Sequence, residues 1–136
     1  MNNSLLLKII VISIITTSLH YTDNALFIDQ YPEPEWIKTY GVFLTWGIMS
    51  AIAFIAYFLY ARKQYWVSYL LLTVYSITGL SSPIHYLYGK MSDFSPKMHL
   101  LIWTDFIAGS LIVIFIIWSS VVACEWNKIE TNTNIK

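Results

Sequence analysis

The residues able to do chemistry are few, and they fall in related places. The chain has three histidines, His20, His85 and His99. Each stands at the end of a long apolar run. One acid, Asp105, lies inside such a run. If the runs are antiparallel helices, His20 ends the first, His85 ends the third and His99 begins the fourth. Three imidazoles then meet at one rim of a bundle. Asp105 lies six residues below His99, roughly 9 Å deeper at about 1.5 Å per residue. An ionisable group inside a spanning helix is costly, about 2.5–3.5 kcal/mol on insertion scales, so it turns inward and finds a partner. The partners on offer are the three histidines and nearby hydroxyls.

Three chemistries fit this set. Histidines with carboxylates suit zinc, iron or copper, and His20, His85, His99 and Asp105 are the candidate ligands. Imidazole also moves protons near neutral pH, so acid–base work on a lipid-soluble substrate is open, with Asp105 as partner. The third is a binding pocket or proton relay without catalysis, drawing on His20, Asp23, Asn24, His85 and Asp105. Plainer roles stand beside these. His99 can mark the interfacial start of a helix, His85 can be a solvated helix end, and Asp105 can be a structural acid bonded to a hydroxyl. The chain has no H-E-x-x-H, C-x-x-C, G-x-S-x-G or phosphate-binding glycine loop, so hydrolase and nucleotide readings lack support. The single cysteine, Cys124, excludes an intrachain disulfide and a multi-cysteine metal site.

The elements that must position these residues follow from composition. The 136 residues are 57% hydrophobic and only 12% charged, with zero net charge. About 25% is usual for a soluble domain, so lipid is the expected solvent, and no basic field exists to draw nucleic acid. Gly41–Tyr60 contains no charge and is closed by Arg62 and Lys63. Tyr65–His85 and His99–Cys124 are two further runs, the last interrupted only by Asp105. About twenty apolar residues cross a hydrocarbon core roughly 30 Å thick. Residues 5–21 form a fourth run around Lys8. A signal peptide is the alternative there, but the residues that follow suit cleavage poorly and favour a retained helix.

The expected fold is therefore an all-α four-helix membrane bundle spanning about 5–21, 41–60, 65–85 and 99–124. A polar tail, 125–136, follows the single domain and is expected to fray. Basic residues give the orientation. Lys8, Arg62, Lys63, Lys128 and Lys136 share one side, and Lys38, Lys90 and Lys97 the other, which puts both termini in the cytoplasm. The histidine rim then faces outward.

Helical spacing adds polar faces to this rim. Ser13, Thr16, Thr17 and His20 lie on one face of the first helix, and Asp23 and Asn24 prolong it if the helix runs on. Tyr75, Thr78, Ser81, Ser82 and His85 make a similar stripe on the third, where Pro83 predicts a kink near Gly79. Gly109, one turn beyond Asp105, permits close approach of a neighbouring helix. Pro32 and Pro34 forbid a helix between the first two spans, and Trp36 is expected to anchor that loop at the interface.

The run His20-Tyr21-Thr22-Asp23-Asn24, followed by Tyr31-Pro32-Glu33-Pro34-Glu35-Trp36-Ile37, resembles a pattern in small four-helix bacterial membrane proteins of unknown activity. Those proteins carry a histidine late in the third helix, matching His85, and a polar residue in the fourth, matching Asp105. The resemblance covers most of the chain and implies a bacterial inner-membrane protein without implying an activity. A looser likeness in size, helix count and buried acid is to the EXPERA group, which binds sterols. It implies an enzyme of lipid or sterol-like substrates as the alternative function. The leading expectation is a pocket that binds a metal or small apolar ligand, or that assists a membrane partner.

Overall fold

The computed structural model describes residues 2–32, 34 and 36–127. Four helices make the fold: α1 (Asn3–Leu26), α2 (Thr39–Ala61), α3 (Tyr65–Leu80) and α4 (Pro96–Ile117). With the turns that extend α3 to Leu87 and α4 to Val122, all four are long and apolar enough to cross a membrane. A helix closes its backbone hydrogen bonds within one segment, so these charge-poor runs can satisfy themselves in lipid. Successive helices are neighbours. α1 packs on α2 and α4, α3 packs on α2 and α4, and the diagonal pair α1–α3 barely touches. This is an up-down-up-down square.

The exterior is apolar, as at Leu70, which is 64% exposed. In lipid, apolar burial would give little drive between such helices, leaving close packing and polar contacts to hold the bundle. The closest approach is between α3 and α4. A Cβ on Gly79 would lie 2.5 Å from the Asp105 carbonyl oxygen, and one on Gly109 would lie 2.9 Å from the Leu80 nitrogen. Only glycine fits at either position, as expected for Gly109. The middle of the bundle is filled by Leu6, Ile10, Ala53, Ala56, Leu72, Ile112 and Phe115.

Several boundaries differ from the sequence reading. α1 runs on past Tyr21 to Leu26, which carries Asp23 and Asn24 onto the helix. α3 ends at Leu80, and a 3₁₀ segment, Ser82–Leu87, carries His85. Pro83 lies at the start of that segment and disfavours α geometry in the residue before it, so the helix tightens instead of merely bending. α4 begins at Pro96, where Ser95 caps it by accepting from the Met98 N–H at 3.3 Å. His99 is therefore inside the first turn.

The other end also differs. α4 passes into a π-helical turn, Trp118–Val122. Glu125, placed by sequence in the polar tail, is only 4% exposed. It accepts from the Ser119 hydroxyl at 2.9 Å and the Asn2 amide at 3.0 Å, and it also bonds the Tyr60 hydroxyl. The expected fraying of residues 128–136 lies outside the described residues.

Candidate functional site

The buried polar face of α1 is Ser13, Thr17, His20 and Asn24, at i, i+4, i+7 and i+11. α4 sets Asp105 against this face, and the Gly79–Gly109 contact brings Ser82 to the same point. Asp105 is wholly buried. Its Oδ2 is 3.0 Å from His20 Nδ1 and accepts from the Ser82 hydroxyl at 2.7 Å. Its Oδ1 accepts from the Thr17 hydroxyl at 2.8 Å. That hydroxyl also lies 2.6 Å from the Ser13 carbonyl oxygen, so its single proton is shared between two acceptors. Tyr75 closes the cluster by donating to the Ser13 hydroxyl at 3.2 Å. Three helices thus converge on one carboxyl group, which answers the cost of burying it.

The carboxylate fixes His20. With Asp105 ionised, the carboxylate can only accept, and the proton of that contact then sits on Nδ1. The opposite nitrogen, Nε2, is buried and has no hydrogen-bond partner among the described residues. His20 lines a cavity of about 660 Å³, whose wall also includes Tyr21, Trp36, Tyr40, Val42, Ser82 and His85. Asp105 does not line it. The imidazole therefore stands between the buried acid and the cavity.

The second histidine closes one side. The rings of His20 and His85 are 5.5 Å apart and inclined at 71°. His85 Nδ1 lies 3.4 Å from the Pro32 carbonyl oxygen, a long contact in which only the ring can donate. Tyr31 packs against both imidazoles, 6.1 Å from His20 and 5.3 Å from His85. Its hydroxyl donates to Asp23 at 2.8 Å, and Asp23 also holds Lys97 at 2.6 Å. Asp23 is thus a tether for the first loop. It ties Tyr31 over the histidines and bonds neither of them.

The four proposed metal ligands do not converge. His99 is diverted to the Tyr86 hydroxyl at 2.8 Å and packs among Tyr86 and Phe94. Asp105 faces Nδ1 of His20. Among the described residues, no three His, Cys, Asp or Glu side chains are placed to hold a metal ion. Of the candidates, His20 and Asp105 form one bonded pair, with the His85 ring edge-on beside it. Asn24 lines the cavity.

Sequence reasoning found Thr17 and Ser82 through their stripes but missed Tyr31 and the carbonyl of Pro32. The two prolines marked a stiff loop without showing where it folds. Comparison with protein families, curated proteins and solved structures finds no match for this chain.

Proposed function

We propose that this chain is an integral membrane protein with both termini in the cytoplasm, whose outward-facing cavity binds a small apolar molecule by its polar end. A bacterial inner membrane is the setting the sequence pattern favours. One observation carries the reading. His20 lines the cavity and is bonded to Asp105 through Nδ1, while its Nε2 is buried without a hydrogen-bond partner among the described residues. A buried polar atom without a partner costs about 1–3 kcal/mol, and a ligand hydroxyl or amide would recover it. Ligand pockets run to about 300–1,000 Å³ and combine apolar walls with a few placed polar groups. A cavity of about 660 Å³ walled by Trp36, Tyr40 and Val42 fits that description.

The alternative is an enzyme acting on a lipid or sterol-like substrate. A histidine held by a carboxylate, with its other nitrogen free, is the arrangement of a general base. The likeness to the EXPERA group points the same way as an analogy of architecture. Assistance to a membrane partner is a third role for the same pocket.

The test is mass spectrometry of small molecules that copurify with the detergent-solubilised protein. A specific lipid-like species should be enriched with the wild type and lost in His20→Phe, which fills the floor of the cavity. Equal profiles from the two proteins would refute the reading. Turnover of the captured species by wild type, absent in Asp105→Asn, would favour the enzyme.

A further inference from the structure

We propose that the cavity takes an anionic phospholipid, with its phosphate at Lys38 and its chains leaving sideways into the bilayer between α2 and the end of α3. This rests on the pocket reading above and names the class of molecule the pocket holds.

The opening comes from the way α2 packs. Its inner half is held tightly. Ala53, Ala56 and Tyr60 are wholly buried there, and the Ser68 hydroxyl of α3 donates to the Ala56 carbonyl oxygen at 2.7 Å. Its outer half is loose. Val42 is the one buried residue of α2 before Ala53. A Cβ on Gly41 or Gly47 would meet no neighbouring atom within 4 Å. The cavity of about 660 Å³ occupies the room this leaves. Tyr40 and Thr45 line it from α2, Ile84 and Tyr88 line it from the segment after α3, and all four are also exposed on the outside of the bundle. They form its rim, while His20 and Tyr21 of α1 lie at its back. A mouth between two spanning helices admits a molecule from the membrane plane. The cavity then needs to hold only the head and the upper part of the chains.

Charge selects the head. Lys38 lines the cavity, and no Asp or Glu does so among the described residues. Lys97, another lysine at this end of the bundle, is held by Asp23, whereas Lys38 has no ion-pair partner among the described residues. Lys38 is also the N-cap residue of α2, whose first turn contains no acid. A cation at the positive end of a helix dipole is unfavourable, and an anion beside it is stabilising. Tyr40 and Tyr88 add hydroxyl donors at the same rim. Asp105 lies behind the opposite wall and does not line the cavity, so a second anion is better placed at Lys38 than beside His20. Phospholipids are the bilayer's own anions, and they reach a lateral mouth by diffusion in the membrane plane.

The experiment uses the full chain, delipidated in detergent and titrated with phosphatidylglycerol or with phosphatidylcholine of the same chains, with retained lipid read by native mass spectrometry. One phosphatidylglycerol per chain is expected, held about 5–10-fold more tightly than phosphatidylcholine. Lys38→Gln should abolish that preference and leave phosphatidylcholine binding unchanged, and Lys90→Gln, which is outside the cavity wall, should match wild type. Gly41→Phe fills the mouth and should reduce both lipids to the detergent background. Inorganic phosphate alone should displace neither lipid; full displacement would assign the site to the free ion and overturn the proposal. Equal retention of the two lipids by wild type, lost in Gly41→Phe, upholds the pocket and overturns the anionic head. A preference that survives Lys38→Gln overturns the proposal, and so does retention of neither lipid, which leaves the pocket reading to its own copurification test. If Gly41→Phe fails to fold, the exposed Lys38→Gln change decides the matter alone.

Discussion

Replacing Asp105 tests how much of the bundle hangs on one carboxyl group. Its two oxygens take three contacts, from Thr17, His20 and Ser82 at 2.7–3.0 Å. In Asp105→Asn, the amide oxygen can replace Oδ2 and keep His20 and Ser82. The amide nitrogen then meets Thr17, whose hydroxyl can accept while it donates to the Ser13 carbonyl at 2.6 Å. Thr17, His20 and Ser82 each keep a hydrogen bond, while the charge assistance is lost and the second amide N–H has no named acceptor. Hydrogen bonds to charged groups contribute about 1.5–3 kcal/mol against about 0.5–1.5 for neutral ones. The variant should therefore lose about 1–3 kcal/mol. Asp105→Ala removes the acceptor altogether and leaves only longer contacts of 3.3 Å, from the His20 N–H to the Ser82 oxygen and from the Ser82 hydroxyl to the Thr78 carbonyl. A buried donor left without a good acceptor costs about 1–3 kcal/mol, and two donors are affected here. The assay is unfolding of both variants and wild type in mixed detergent, followed by circular dichroism. An Asp105→Ala loss below about 1 kcal/mol, the range of ordinary surface changes, would refute the argument. So would a larger loss in the asparagine variant than in the alanine one.

Three further outcomes follow from the same geometry. Gly79→Ala should destabilise by about 1–3 kcal/mol, as overpacking does, because its Cβ would lie 2.5 Å from the Asp105 carbonyl; thermal unfolding measures it, and wild-type stability would contradict the close contact. Glu125→Ala should destabilise by about 1.5–3 kcal/mol, since Asn2, Tyr60 and Ser119 all bond that carboxylate; unfolding at wild-type denaturant concentration would return Glu125 to the tail. Cys124, half-buried beside the end of α4, should react with a membrane-impermeant maleimide only after the cytoplasmic side is opened, and labelling of intact cells would reverse the proposed orientation.

The helices were legible because lipid imposes a simple rule. A span must be about twenty apolar residues with its backbone bonded internally, and charge counting finds such runs directly. The unusual burial of Asp105 and its need for a partner were legible for the same reason. The choice among partners was not. His20, His85 and His99 share one rim, and nothing local distinguishes them. Rotation of each helix about its axis decides which side chain faces inward, and that depends on packing along the whole length of the neighbour.

The amino-acid sequence by itself determined the number of long apolar helices, the gathering of the histidines at one end of the bundle and the oddity of a carboxyl group within α4. Only the tertiary structure decided that His20 takes Asp105, that His99 turns away to Tyr86, and that Asp23 tethers the first loop. It alone drew Glu125 into the opposite end of the bundle. The physical reason is that hydropathy is a property of each segment, whereas a hydrogen bond between helices belongs to a pair. The Gly79–Gly109 contact sets the α3–α4 register, the polar face of α1 sets its rotation, and together they bring α1, α4 and the turn after α3 to Asp105 and leave Nε2 of His20 buried without a partner among the described residues.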